Sequence, residues 1–239
     1  MKPERVFLPF PEPLVPAVFL ARRQRFFADM ELEDETRVVA HCPNTGSMKG
    51  CLHPGHRAVL WDSRDPRRKL RYTWKAIDAG EVWIGVDTAV PNRLAEAAIR
   101  AGSIPGLAGF DTIARERPLG EASRVDLLLS GPSGQCYVEV KNVTLVEGGA
   151  ARFPDAETAR GRKHLAELSA RVAEGHRAAM VFVVQRGDGQ WFEPAEDIDP
   201  AYATGLRTAL AWGVEAYALG ARVSPKGVEV TRLLPVRGV

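Results

Sequence analysis

The stretch 124-RVDLLLSGPSGQCYVEVK-141 decides how the chain is read. Two short apolar runs flank Gly131-Pro132-Ser133-Gly134, the residue types of a tight turn, so the stretch predicts a β-hairpin. With the turn centred on Pro132 and Ser133, Asp126 falls opposite Glu139, and facing positions on paired strands hold their Cβ atoms roughly 5 Å apart. Side chains alternate along a strand, which sets Glu139 and Lys141 on one face. Val125, Leu127, Leu129, Val138 and Val140 make an apolar second face and belong to a core. Two carboxylates and an ammonium on a hairpin with a buried back are costly to desolvate. Chemistry is a natural reason for such an arrangement.

With 239 residues, the chain has room for one large domain or two smaller ones. Its 45% apolar and 26% charged residues are those of an ordinary globular protein. A net charge of +2 excludes a strong global field for nucleic acid, although residues 1–85 carry 14 basic against 11 acidic side chains. Three cysteines, Cys42, Cys51 and Cys136, cannot make a disulfide framework. The opening MKPERVFLPFPEP lacks the apolar run of a signal peptide. The longest apolar run, 178–184, is far short of the roughly 20 residues that cross a bilayer. A cytoplasmic protein with no membrane partner is expected; the oligomeric state is not legible.

Working outward, residues 1–13 read as an extended, proline-rich entry. Strands are expected at 14–20, 24–32, 36–42, 56–62, 70–77 and 81–86, separated by turns such as Pro43-Asn44-Thr45-Gly46. So many short strands in so short a span predict a small closed barrel of the oligonucleotide-binding (OB-fold) kind over residues 1–86. Beyond it, 87–239 reads as a mixed α/β domain. Helices are expected at 93–101, 156–173 and about 200–211, and strands at 112–117, 123–130, 135–144, 178–185, 213–221 and 227–233.

Asp126, followed after a turn by Glu139-x-Lys141, has the spacing of the PD-(D/E)xK (restriction-endonuclease-like) nucleases, in which hard divalent cations, Mg²⁺ or Mn²⁺, take carboxylate oxygens. Glu96, on the preceding helix, is a candidate further ligand. The competing reading is a solvated sheet face bearing an ion network. Arg160, Lys163 and His164 lie at i, i+3 and i+4 and project from one side of the next helix, to grip phosphate or simply to meet solvent. Arg64, Arg67, Arg68, Lys69, Arg71 and Trp74 form a basic run with aromatics, suited to tracking a DNA backbone; Arg22 and Arg23 extend it. A loop whose Trp74 points inward is the equal alternative. His41, Cys42, Cys51, His53 and His56 invite a zinc site, but no paired Cys-x-x-Cys is present. A turn is the better reading, in which Asn44, Thr45 and nearby amides can bind an anion.

Three blocks, HCPNTGSM at 41–48, VEVKNVTL at 138–145 and FPDAETARGRKHLAEL at 153–168, resemble the sugar fermentation stimulation protein A (SfsA) family along essentially the whole chain. The resemblance implies an OB barrel followed by a PD-(D/E)xK-like domain and non-sequence-specific DNA binding, of either strandedness, linked to regulation of maltose metabolism. It also implies Glu96, Asp126, Glu139 and Lys141 as a nuclease-type site, with Arg160, Lys163 and His164 beside it. A non-catalytic regulator that keeps the nuclease fold is the alternative. Val125 stands where the superfamily has proline, and Asn142 where relatives are expected to carry serine.

Overall fold

The computed structural model describes residues 4–120 and 123–239. A first short strand, β1 (Phe7–Pro9), precedes five that close on themselves: β2 (Leu14–Arg23), β3 (Phe27–Leu32), β4 (Arg37–His41), β5 (Arg57–Asp62) and β6 (Tyr72–Asp78). β2 pairs with β5 through Leu14–Val18 and with β3 through Ala17–Arg23, so one ten-residue strand serves two neighbours. A register shift in the β2–β3 pairing falls between Phe19 and Ala21, just past Val18, the last residue paired with β5. β3 pairs with β4, β4 with β6 in parallel, and β6 with β5, which completes the ring. Closure leaves no free edge. Phe19 and Trp74 stack inside the ring at 4.8 Å, with Met30, Leu60 and Ile77 fully buried. The strand expected at 24–32 begins at Phe27, because Gln24 and Arg25 take left-handed conformations (φ 49° and 64°) at the hairpin tip.

β7 (Trp83–Gly85) and α1 (Val90–Arg100) lead out of the barrel, followed by β8 (Thr112–Pro118), β9 (Arg124–Gly131) and β10 (Gly134–Val143). The chain then runs through β11 (Leu145–Glu147), β12 (Ala150–Phe153), α2 (Ala159–Ala173), β13 (Arg177–Val184), β14 (Trp191–Pro194), α3 (Pro200–Ala211), β15 (Glu215–Ser224) and β16 (Gly227–Leu234). β10, β13 and β15 are parallel, and antiparallel strands flank them: β9 and β8 beside β10, β16 beside β15. β11, β12 and β14 make a separate small sheet. Alternation along the central strands feeds two cores. Val138, Val140, Val181 and Leu219 pack under α1, while Met180, Phe182 and Val184 pack under α2 and α3. The entry segment is not a bystander: β1 pairs with β16, and Val6 and Phe10 bury in the α1 core. Residues 7–9 therefore belong by pairing to the second sheet, although the sequence reading grouped 1–86 with the barrel. The short strands β11, β12 and β14 were not anticipated either.

Helix starts are set by side-chain caps. Thr158 accepts from the Gly161 amide to open α2, and Asp199 accepts from the Tyr202 amide to open α3. Asp199 also accepts from the Thr158 amide at 2.8 Å and from Arg162, so one carboxylate aligns both helices. Burial alone raises that carboxyl; the two amides and Arg162 outweigh it and hold it low. Among the described residues, no helix is long and apolar enough to cross a membrane.

The barrel is tied to the second domain through a buried ion pair. Lys75 Nζ lies 2.5 Å from Asp87, with the two side chains 7% and 8% exposed. The Asp87 carbonyl in turn accepts from Gln185 of the central sheet. Replacing Asp87 with Ala strands a buried ammonium and should cost about 3–5 kcal/mol in urea unfolding. Pairing Lys75→Met with Asp87→Leu should recover most of that loss.

Candidate functional site

The β9–β10 hairpin has the register read from its turn: pairs run from Gly131–Gly134 to Leu127–Val138. Extended by one step, that register brings Asp126 level with Glu139. Here the backbone ladder gives way to the side chain, because Asp126 Oδ2 accepts from the Val140 amide at 2.8 Å. Its Oδ1 accepts from Asn92 Nδ2 of α1 at 2.7 Å. Burial, then the charge of Glu139, push the Asp126 carboxyl up to about 6, against the pull of the Val140 amide, Asn92 and Lys141.

Glu139 is 3% exposed. Its Oε1 accepts from Lys141 Nζ at 2.6 Å and from Nδ1 of His164 on α2. Burial would raise this carboxyl, but the hydrogen bond from His164 and the Lys141 charge hold it below the usual range. Oε2 is buried and has no protein partner. With His164 Nδ1 donating to Glu139, Nε2 is free to accept from Arg160 Nε at 3.4 Å, which assigns the tautomer. The hydroxyl of Tyr202, on α3, is also buried and unpartnered, and its pKa is raised by burial and by the charge of Glu139. Two neighbouring carboxyls are thus driven in opposite directions, and a proton entering the pair settles on Asp126.

The other anticipated residues divide. Arg160 and His164 join the site. Lys163 does not: it is exposed and lies 3.7 Å from Glu167. Glu96 is held by Arg100 (3.0 Å) and Arg115 (2.5 Å), so it makes no contact with Asp126; Asn92, one helical turn earlier, does. Trp74 cannot stack on a base, because it is fully buried against Phe19. Arg22 is turned inward, donating to the carbonyls of Arg25, Asn44, Gly46 and Ser47, and so shapes the Pro43–Gly46 turn. Arg23 pairs with Asp29, and Arg71 clamps buried Asp62 with two bonds. Arg68 bonds Thr73 Oγ1 and lies over the Trp61 ring. Arg64, Arg67 and Lys69 are exposed, Arg67 bonding Asp65. Thr45 is exposed and Asn44 is buried in the turn. The zinc alternative fails: Cys42 and Cys51 are fully buried, burial pushes the Cys51 thiol up to about 11, and His53 and His56 bond backbone carbonyls.

Sequence reasoning missed Asn92, taken only as punctuation beside Pro91, and Tyr202, for which no local signal exists. It also missed Asp155, although the residue lies in a quoted block. Asp155 Oδ2 accepts from Ser47 Oγ and from the Met48 amide, and so fastens the barrel's turn to the second domain.

Fold and site together define a class: an OB-type barrel followed by a mixed-sheet domain whose central hairpin carries an Asp–Glu–Lys group. Two family models match, "SfsA N-terminal OB domain" over residues 20–86 and "Sugar fermentation stimulation protein RE domain" over residues 89–227. The chain belongs to the sugar fermentation stimulation protein (SfsA) family. It is 54% identical to the sugar fermentation stimulation protein homolog of Geotalea uraniireducens, across 95% of this chain and 98% of that one. Identity to the Rhodospirillum rubrum homolog is 49%, across 95% and 98%. The solved structure of Pyrococcus furiosus SfsA in complex with Ca²⁺ is similar at a TM-score of 0.86 and 31% identity, over 99% of both chains.

The opposed shifts set a pH dependence. From about pH 4, the ordinary carboxyl value, up to about 6, the folded protein keeps a proton on Asp126 that the unfolded chain releases. This group's contribution to stability therefore falls as pH rises through that window and is constant above it. Urea unfolding in EDTA at pH 4, 5, 6 and 7 should show Asp126→Asn gaining on the wild type between pH 4 and 6, with no further gain to pH 7.

Proposed function

We propose that this protein binds DNA without sequence readout and hydrolyses phosphodiester bonds at Asp126, Glu139 and Lys141 with a divalent cation, Mg²⁺ or Mn²⁺. One observation carries the reading: a buried carboxylate oxygen, Glu139 Oε2, has no partner, beside a second carboxyl held up by burial and by its neighbour. Two neighbouring carboxyl groups, one with an oxygen left unpartnered, fit a cation that completes its shell with water and substrate phosphate. Among the described residues no three His, Cys, Asp or Glu side chains form a ready metal cage, and Glu96 is committed to arginines, so Asp126 and Glu139 are the ligands assigned here. A Pyrococcus furiosus relative of the same fold was solved in complex with Ca²⁺, which supports a divalent cation as ligand.

When bound, the cation supplies charge neutralisation and polarisation at the phosphate. The chain's own groups do the rest. Asn92 and the Val140 amide orient Asp126, and His164 orients Glu139. The Lys141 ammonium, 2.6 Å from Glu139, is placed to orient the attacking water or to neutralise charge developing on phosphate. Arg64, Arg67 and Lys69 of the β5–β6 loop supply backbone contacts from the barrel. A second reading, a DNA-binding regulator of sugar metabolism without turnover, draws on the engagement of Glu139 Oε1 by Lys141 and His164.

Cleavage of plasmid, single-stranded and branched DNA with Mn²⁺ tests the choice. The variant Asp126→Ala with Glu139→Ala should lose at least 100-fold in rate while binding DNA normally in EDTA. Undiminished cleavage by this variant removes the site, and a wild type that binds but never cuts leaves the second reading. Ca²⁺ should raise the melting temperature of the wild type and not of the double variant, with an apparent affinity that weakens below about pH 6 as Asp126 takes up its proton.

Salt dependence tests the barrel. Arg67→Ala with Lys69→Ala should flatten the slope of log affinity against log salt by about 1–2, near 0.9 per lost phosphate contact. Arg71 is left intact, because its removal would strand the buried Asp62 carboxylate.

A further inference from the structure

The three sequence blocks meet at one place. A cavity of about 190 Å³ lies between the Pro43–Gly46 turn of the barrel, the end of β10 and the segment after β12, lined by Asn44, Asn142, Thr144, Arg152, Phe153 and Asp155 among others. It is built in advance: Arg22 grips the turn's carbonyls and Asp155 its Ser47 and Met48 groups. It also adjoins the candidate active site. The Phe153 ring packs edge-on against Tyr202 at 5.2 Å, and the Tyr202 hydroxyl feels the Glu139 charge.

The lining chemistry selects a ligand class. Asn44 commits its side-chain oxygen to the Gly46 amide and Asn142 its oxygen to Gln185, so both leave an NH₂ group for a ligand. Asp155 uses Oδ2 for the turn and keeps Oδ1 as an acceptor. Thr144 adds a hydroxyl and Phe153 an aromatic surface. A phosphate does not suit this wall. The only cation in the lining, Arg152, has both terminal nitrogens engaged by Glu147 and Asp197, and the Asp155 carboxylate repels anions. A planar, uncharged group with carbonyl and N–H edges does suit it. The volume lies below the roughly 300–1,000 Å³ of pockets that hold drug-sized ligands, which is room for one ring system rather than a whole nucleotide.

We propose that this cleft receives one unpaired nucleobase of the strand whose backbone is presented to Asp126 and Glu139, its edge held, whatever the base, by the Asn44, Asn142 and Asp155 side chains. The inference rests on the nucleic-acid reading above and adds to it a base pocket shared by both domains. A base held outside its stack is a known device of enzymes that must reach into a strand. The substrate is accordingly one with an unpaired nucleotide beside the cut: a single strand, or a duplex with a gap, bulge or frayed end.

The test uses the whole protein with Ca²⁺ and single-stranded 12-mers carrying one abasic residue, moved position by position. At one position, loss of the base should weaken binding about tenfold for the wild type and hardly at all for Asn142→Ala or Phe153→Leu, the second variant guarding against a local packing defect in the first. With 2-aminopurine at that position, emission should rise several-fold on binding to the wild type and not to the variants. A flat abasic scan with quenched 2-aminopurine, while binding or cleavage persists, overturns the base pocket and leaves the proposed function standing. A protein that binds duplex DNA but none of these strands also overturns the base pocket alone, and one that binds neither overturns both.

Discussion

The candidate site depends on one buried carboxylate. Glu139 sits on β10, between parallel β13 and antiparallel β9, with almost no exposure, and an ionised group there survives only if it is compensated. Lys141 and His164 compensate one oxygen; the other has nothing. Much of the surrounding architecture keeps those partners in place. The β9–β10 register brings Asp126 alongside, and α2 must start at Thr158 for His164 to reach the strand. Asp199 enforces that start while capping α3, which delivers Tyr202 to the same spot. Asp199, which does not itself bond to Glu139, thus positions two of the groups that surround it.

The barrel contributes in a way different from its composition. Its arginines look like a phosphate-binding surface, yet several are spent internally: Arg22 on a turn, Arg71 on Asp62, Arg23 on Asp29. An exposed pair such as Arg23–Asp29 contributes little stability, but each of these engagements changes which cations are left to meet a ligand. Exposed barrel cations remain at the β5–β6 loop, where Arg67 bonds Asp65, and at the β2–β3 tip in Arg25. The rest of the barrel's role is positional, since Asp155, through Ser47 and Met48, and Thr88, through the Pro43 carbonyl, hold residues 43–48 against the second domain at a cleft lined from both sides.

The hairpin, the OB barrel and the mixed sheet were all legible, because each rests on short-range information: alternation, turn residues and the crossover helix. The pairing of Asp126 with Glu139 followed from turn symmetry alone. What misled was the assumption that matching residue type and spacing imply contact. Glu96 lies on the expected helix, but Arg115 comes from β8, far along the chain, to claim it. Trp74 lies in a basic run, but strand alternation and the stacked Phe19 turn it inward. Asn92 and Tyr202 carried no local sign of their roles, since what defines them is a neighbour 34 residues distant for the first and the field of Glu139 for the second.

The sequence by itself determined the two-domain plan, the family and the acid–acid–lysine group on one hairpin, since periodicity and turn chemistry act over a few residues. Only the tertiary structure decided which charges are free. Whether a side chain is spent in an ion pair or left for a ligand depends on what the chain brings to it from elsewhere. By that measure Glu139 Oε2 is left waiting, Glu96 is not, and three separate blocks of sequence become the walls of one cleft.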